Sequence, residues 1–318
     1  MIPKSYMTSN EIIKSAVRRA GLPKSNSTFT DEDFLAFANE EMDTGLVPSV
    51  LVAHEDYFLT SDDIVIDPNI NRYEIPARAT GNKLRDLSYV DNSGNVYEMV
   101  RIPIDFVPDY NTSYNYSNKG YTYYIQNNQV ILTPTSAPLT PGFFRFSYYM
   151  RPNRLVLLKD VGVISDINLL TGEIALSNVP NDFSTQQKFD FVSVISPHRT
   201  LKKDLVATGL NGTTKVITFA TTDIPSTLKI GDHVCIAETA AIPQVPSDLH
   251  VVLAHRVAAR CLESLGDQEG LQAANVKLAE LEQKTQTIIN DRVEASPLKI
   301  VNRRGVLRRG RTTGRSGR

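Results

Sequence analysis

Apolar side chains recur at helical spacing near the C-terminus of the chain. From residue 249 onward they fall three, four or eight positions apart, which places them on one face of a helix. A second run, from residue 271, alternates steps of three and four, as the seam of a helix that packs on another helix does. The sequence predicts helix packing by Leu249, Val252, Leu253 and Val257 in the first helix, and by Leu271, Leu278, Leu281 and Ile288 in the second.

Residues that start and stop helices divide this region in two. Ser247 is expected to be the N-cap of the first helix, and Gly266 to end it in a left-handed conformation. Asp267 is expected to cap the second helix. The seam of that helix lasts about two and a half heptads, which is short for an autonomous coiled coil. The pattern therefore favours a helix of a core bundle over a coiled coil.

The N-terminal residues carry a matching apolar stripe. Residues 8–20 place isoleucine, alanine and valine at helical spacing, and a Gly-Leu-Pro run ends that helix. Thr30 and Asp33 predict a capping box at the start of a second helix. Pro48 is expected to kink or restart this helix, because proline lacks an amide hydrogen and crowds the preceding turn. We expect helices from the two ends of the chain to pack together as one base.

Between residues 60 and 241 the period changes to that of β-strands. Residues 87–99 and 121–132 are expected to form hairpins, with turns at Gly94 and at Asn127–Asn128. Because no crossover helices intervene, the modules are predicted to be antiparallel, as a sandwich or a small barrel. Further strands are expected at 62–66, 71–76, 142–150, 161–167, 172–176, 189–195, 216–219 and 231–237.

A polar, tyrosine-rich stretch, residues 109–120, separates two of these strands and is expected to be an exposed loop. Both a contact surface and an ordinary connection remain open for it. The whole pattern predicts an α+β fold in five parts. These are the N-terminal helices of the base (1–59), a first β module (60–155), a second β module (156–245), the C-terminal helices of the base (246–295) and an extended basic arm (296–318).

Charge is distributed unevenly along the 318 residues, although the formal net charge is only −1. The last sixteen residues contain seven arginines and no acid, and without them the formal charge would be −8. A basic end on an acidic body predicts an arm that reaches for a negatively charged partner, although a solvated end without a role would look the same. The predicted partner-binding residues of the arm are Leu298, Ile300, Val301, Arg303, Arg304, Arg308, Arg309 and Arg311.

Candidate chemistry is sparse. The five histidines show no metal-ligand spacing, and the two cysteines exclude a disulfide framework by number and favour a reducing compartment. No nucleophile elbow and no acid–base pair can be proposed, and Gly209 to Lys215 reads as a turn and not as a phosphate loop. No apolar run reaches the length of a membrane helix. We expect no enzymatic activity, no cofactor, no metal site and no membrane contact.

Six stretches that follow one another along the chain are informative together, although none is a catalytic signature. They are VPSVLVAHEDYFL, YYIQNNQVILTP, FRFSYYMRPNRLV, GVISDINLLTGEIALSNVP, IPQVPSDLHVVLAHRVAARCLESLGDQEGLQAANVKLAELE and RVEASPLKIVNRRG. Together they cover most of the chain, and their order and spacing resemble the head-to-tail adaptor (connector ring) proteins of tailed bacteriophages, especially the short-tailed type. The block from Ile242 to Gly305 is the most specific.

The resemblance implies a structural virion protein. Copies would form a ring, commonly of twelve, beneath the portal protein, extend the DNA channel and offer attachment to downstream tail or nozzle proteins. DNA would pass through the channel without sequence-specific binding. The C-terminal segment would reach along the portal or a neighbouring subunit. The protein would assemble in the host cytoplasm and reside at the head–tail junction of the virion.

Two other classes of function compete with this interpretation. A nucleic-acid-binding module would use the arginine-rich end, but the acidic body and the lack of a recognised DNA-reading motif count against it. A carbohydrate-binding or depolymerising tail protein would be expected to contain clustered tryptophan or paired carboxylates. The chain contains no tryptophan.

Overall fold

A computed structural model describes residues 6–23, 28–67, 69–107, 122–133 and 141–289. Within this part five α-helices lie toward the two ends of the sequence, and antiparallel sheets lie between them. The predicted α+β class is thereby confirmed. The helices are α1 (Ser9–Arg19), α2 (Asp31–Glu41), α3 (Val47–Ala53), α4 (Leu249–Leu265) and α5 (Gln268–Ile289).

Side-chain caps fix the start of the first two helices. The Thr30 amide donates to Asp33 Oδ2 at 2.7 Å and the Asp33 amide donates to Thr30 Oγ1 at 3.3 Å, so the predicted capping box is present. The hydrogen bond from the Thr30 amide lowers the pKa of the Asp33 carboxyl. Thr8 and Glu11 form a second box, in which the Thr8 amide donates to Glu11 Oε2 at 2.8 Å. Each box satisfies donors that a helix start leaves unpaired.

The helix that begins at Asp31 is interrupted before Pro48, as predicted. A π-helical turn (Met42–Leu46) follows α2, and the Val47 amide donates to the carbonyl of Met42, five residues back. Pro48 then occupies the first turn of α3, where its missing amide hydrogen costs little. The chain thus absorbs the proline by widening one turn and restarting the helix.

One apolar cluster joins helices from both ends of the chain. It combines the inner faces of α1, α2 and α3 with the inner face of α4, so the two ends depend on each other for burial. Asn39 ties α2 to the β region, because its side chain accepts from the Leu155 amide at 2.6 Å and donates to the Leu155 carbonyl at 3.2 Å. Buried members include Ile12, Ala16, Phe34, Ala38, Met42, Leu46, Val50, Leu253, Val257 and Cys261.

Two four-stranded sheets form the first β region. One has the order β1 (Leu59–Val65), β8 (Gly142–Met150), β3 (Ala79–Asp91), β4 (Val96–Glu98). The other has the order β2 (Arg72–Glu74), β7 (Gln129–Thr133), β6 (Thr122–Gln126), β5 (Val100–Arg101). Phe144, Phe146 and Tyr148 alternate along β8 and are fully buried in a cluster shared with Tyr73 and Tyr123 of the other sheet. The region is therefore a small sandwich.

The turns of this sandwich follow the sequence signals. Gly94, between β3 and β4, has φ 83°, and Asn127 and Asn128, between β6 and β7, have φ 50° and 62°. Positive φ at both central residues of a two-residue loop gives the primed turn whose twist matches a hairpin. Both predicted hairpins are confirmed. The predicted loop 109–120 lies outside the described residues.

The second β region is one strongly curled sheet of seven strands. Its order is β13 (Thr200–Val206), β12 (Lys188–Val192), β16 (His233–Ile236), β10 (Gly162–Asn168), β11 (Glu173–Leu176), β15 (Val216–Thr218), β14 (Gly209–Asn211). The ring of Phe191 on β12 lies 5.0 Å from that of Phe219, which follows β15, although three strands separate β12 from β15. The sheet therefore closes over its own core. A short parallel pair lies where the chain enters and leaves this region. It consists of β9 (Arg154–Leu155), which precedes the sheet in sequence, and β17 (Thr239–Ala240), which follows it and precedes α4.

Several boundaries differ from the sequence-based expectation: β1 begins three residues earlier, at Leu59, and β2 and β16 are shorter than expected. Two further differences have an identifiable cause. Strand β12 ends at Val192 and not at residue 195, because the Val194 amide donates to the Asp232 side chain at 3.0 Å. Ser247 is not the N-cap of α4. The cap position is held by Asp248, and the Ser247 hydroxyl lies 3.1 Å from Nε2 of the buried His198. In both places a contact with a distant residue overrides the local signal.

Candidate functional site

Helix α4 buries its predicted packing face completely. Leu249, Val252, Leu253 and Val257 are each 5% exposed or less and belong to the cluster shared with α1, α2 and α3. The helix ends at Gly266, whose φ of 73° is the left-handed conformation that favours glycine. The side chain of Asp267 then accepts from the Gly270 amide at 2.9 Å and caps α5. Both terminal signals read from the sequence are confirmed.

The apolar stripe of helix α5 is only partly covered by the rest of the subunit. Leu271, Leu278 and Leu281 are half-buried, and Leu278 and Leu281 touch the helix cluster from outside. Of residues 268–285, Thr285 is the one that is buried, and Val276 is 74% exposed. The side chain of Ile288 lies outside the described part. The helix thus presents an apolar stripe that its own subunit does not cover fully.

A groove of about 390 Å³ runs between α4 and α5. We call it the α4–α5 groove. Its walls combine half-buried leucines with charged side chains, so it offers both apolar surface and hydrogen-bonding groups. Its lining is Glu41, Arg256, Ala259, Arg260, Glu263, Leu271, Asn275, Leu278 and Glu282.

Two arginines of α4 hold α2 and α5 in place through ion pairs. Arg256 contacts Glu41 of α2 at 3.1 Å and Glu282 of α5 at 2.6 Å. Arg260 contacts the other oxygen of Glu41 at 2.6 Å. Because Glu41 is only 8% exposed, its charge depends on these partners. Gly45 makes room for the network, since a Cβ on this residue would lie 1.7 Å from Arg256 Nη1.

The start of α4 holds the N-terminal segment through a buried histidine. His250 Nδ1 accepts from the Met7 amide at 3.0 Å, while Nε2 lies 3.2 Å from the carbonyl oxygens of Pro243 and Val245. This pattern requires the neutral ring, with its proton on Nε2. Burial, assisted by the nearby His198, lowers the pKa of His250 to about 4. The contact is structural, because every ring nitrogen is used by backbone groups.

A buried ion pair joins the two β regions. Arg78, the residue before β3, donates to both oxygens of Asp190 on β12 at 2.7 and 3.0 Å. Asp190 is fully buried and also accepts from the Asn153 side chain and from the amides of Asp204 and Glu238. The sequence gives one signal for this site, a carboxylate inside the otherwise apolar run FDFV. The partner, 112 residues away, could not be read from local pattern.

The described residues offer neither a metal-binding cluster nor an activated thiol. They contain no group of three or more histidine, cysteine or acidic side chains that could hold a metal ion. Burial raises the pKa of Cys261 to about 11 and that of Cys235 as well, so both thiols are poor nucleophiles. In the same part of the chain, no helix is both long and apolar enough to cross a membrane.

The arm residues named from the sequence, Leu298 to Arg311, lie outside the described part. The helix-packing residues divide between a buried group on α4 and a half-buried group on α5. No protein-family model matches the chain, and no curated protein matches it significantly.

Proposed function

We propose that this chain is a non-enzymatic structural subunit of a head-to-tail adaptor ring in a tailed bacteriophage. Copies would assemble beneath the portal and extend the DNA channel toward the tail proteins. The C-terminal arm would contact the portal or a neighbouring copy. The observation that carries the proposal is the contrast between α4, which is buried, and α5, whose apolar stripe is half covered beside an open groove.

A ring subunit needs two different surfaces that complement each other, because head-to-tail contacts close into a ring. The α4–α5 groove and the outer side of α5 supply such a pair in one helical layer. In the proposal, helices from both ends of the chain form the base of the ring, the β regions face tail components, and residues 296–318 form the arm. The half-buried Leu271, Leu278 and Leu281 then lie at the contact between neighbouring copies.

Charge also supports a channel subunit. The formal charge of the chain without its arginine-rich end is −8. Carboxylates repel phosphates, so an acidic body disfavours sticking of DNA to a channel wall. Arginine binds carboxylates and phosphates alike through its planar fork, and the arm therefore has a choice of partners. The portal or a neighbouring adaptor subunit is the favoured partner of the arm, because both lie next to the arm in a connector.

The test is to image purified protein by negative-stain electron microscopy with and without the portal protein of the same phage. We expect monomers or weak oligomers alone at micromolar concentration, and rings that cap the portals in the mixture. Monomers on both grids, with bare portals, would contradict the proposal. A stable dodecamer without portal would leave the ring intact and remove the need for a template.

The arginine-rich end favours a second candidate, a nucleic-acid-binding module. This function predicts that duplex DNA binds the isolated chain at physiological salt and that changing the seven arginines to alanine abolishes binding. A chain that binds DNA in this way and leaves portals bare would favour the second candidate over the adaptor.

A further inference from the structure

Exposed apolar side chains concentrate in one short segment of the sandwich, from β4 to the helical turn that follows β5. Within eleven residues the chain exposes Val96, Tyr97, Val100, Ile104 and Phe106, and Val100 is 60% exposed. We call this surface the open side. Contiguous exposed apolar surface is uncommon on a subunit that works alone and marks contact sites.

The last strands of two sheets meet at the open side. Strand β4 is the last strand of one sheet and β5 is the last strand of the other. Only Met99 separates them in sequence, and its side chain is buried between the sheets. Among the described residues β4 pairs only with β3 and β5 only with β6, so no described strand pairs with the outer side of either. Such edges accept an added strand.

The open side selects for a basic, apolar segment. Glu98 and Asp105 are exposed there, against a single cation, Arg101. Strand β4, Val-Tyr-Glu, carries neither the lysine nor the proline that protects many edge strands from pairing. A fitting occupant is extended, places apolar side chains on the exposed valines and isoleucine, and carries positive charge.

This chain contains such a segment outside the described part. Residues 298–309, LKIVNRRGVLRR, combine five apolar side chains with five cations and no acid. We propose that residues 298–309 of a second copy add a strand to the open side. The inference deepens the proposed ring and rests on it for the identity of the partner.

Two observations favour a second copy over the chain's own arm. Helix α5, which leads into the arm, packs on the helix cluster through Leu278 and Leu281. The open side flanks Met99, which belongs to a different apolar cluster, that of the sandwich. A contact between the arm of one copy and the sandwich of the next is heterologous, so its repetition closes a ring or extends a filament. Each contact is short and therefore weak. In a ring many such contacts form together, and the overall binding is stronger than that of any single contact.

Fluorescence anisotropy with a labelled peptide of residues 298–309 and the full-length protein tests the contact. Replacing Val100 and Ile104 by serine removes apolar surface without adding charge, and we expect at least about tenfold weaker binding. The matched control replaces Leu169 and Leu170, two exposed leucines of the other β region, by serine and should bind as the wild type does. Unchanged binding by the first variant, folded as judged by its melting curve, overturns the proposal.

A scrambled peptide of identical composition separates strand addition from charge attraction. We expect it to bind at least about tenfold more weakly than the native order. Equal binding of the two peptides at physiological salt would mean that charge alone recruits the arm, and the proposed strand would be wrong.

Disulfide trapping decides between copies. Full-length V96C and I300C proteins, each a single variant, should give a covalent dimer when mixed and oxidised, and none when either is oxidised alone. A chain carrying both changes that instead forms an internal disulfide at high dilution would show that its own arm occupies the site, against the proposal. Rings on portals without peptide binding would refute the open-side contact alone, whereas peptide binding with bare portals would refute the ring alone.

Discussion

Helices α4 and α5 follow one another in sequence and carry the same kind of apolar stripe, yet they are used differently. The stripe of α4 is buried among three N-terminal helices, whereas that of α5 is half covered. Periodicity reports which face of a helix is apolar, but it does not report what covers that face. Helix α4 therefore belongs to the core of the subunit, whereas α5 keeps part of its apolar surface uncovered beside the α4–α5 groove.

Ion pairs explain how α5 stays attached without a deep core. Glu282 binds Arg256 of α4 at 2.6 Å, and the same arginine reaches Glu41 of α2. On the outer face Lys277 and Lys284 both bind Glu280 and lower its pKa to about 2. Such exposed pairs stabilise a helix only weakly, because water screens them. Helix α5 is therefore held mainly by its contact with α4.

The sharpest test of the comparison is Leu253→Asp in α4. Leu253 is fully buried, and an unpaired carboxylate there should lower the free energy of unfolding by about 4 kcal/mol or more. The measurement is urea unfolding followed by circular dichroism. The matched control is Val276→Asp on the exposed side of α5, which should change stability by less than about 0.5 kcal/mol. A Leu253→Asp protein as stable as the wild type would show that the stripe of α4 is not the core.

Sequence patterns predicted what is local and missed what is distant. The capping box at Thr30, the restart at Pro48 and the turn at Asn127–Asn128 follow from residues within a few positions of each other. The prediction of Ser247 as an N-cap is wrong. The Ser247 hydroxyl instead contacts the ring of His198, 49 residues away. The pairing of Arg256 with Glu41 spans 215 residues, and no local rule could supply it.

The next largest effect is expected from pH, through His250 at the start of α4. Its pKa is lowered to about 4, against an ordinary value of 6.5, so the unfolded chain takes up a proton that the folded chain refuses between these values. Stability is fully present above pH 6.5 and falls as pH drops toward 4, by about 1.4 kcal/mol for each unit of the pKa difference. The buried His198, whose pKa is also lowered by burial, adds to the same trend.

Replacing His250 by asparagine, which keeps an acceptor near the Met7 amide, should reduce this loss. The measurement compares urea unfolding at pH 7.5 and pH 5 for the two proteins. His54→Asn, at an exposed histidine, serves as the control and should keep the wild-type difference. An equal loss of stability in the His250→Asn protein would assign the pH dependence to other groups.

A smaller effect on the free subunit is expected from Leu278→Asp in α5. Because Leu278 is half-buried, the charge keeps contact with water, and the free energy of unfolding should fall by about 1 kcal/mol. Assembly on portals should nevertheless fail, since the charge lies in the proposed contact between copies. Electron microscopy of portal mixtures checks this against a Leu170→Asp control, at a leucine of the second β region that is 92% exposed. A Leu278→Asp protein that unfolds as readily as Leu253→Asp would erase the difference between the two helices.

The smallest effect on stability is expected from removing the arm that follows α5. Arginine, glycine and polar residues dominate the segment that truncation after Glu294 removes, so truncation should change the free energy of unfolding by less than about 0.5 kcal/mol. Attachment to portals should be lost. Changing the seven arginines to alanine in the full chain should weaken attachment and make it less sensitive to salt, because fewer screened charges contribute. A truncated protein that still decorates portals at full occupancy would leave the half-covered stripe of α5 as the sole proposed contact, and it would remove the arm from the mechanism of assembly.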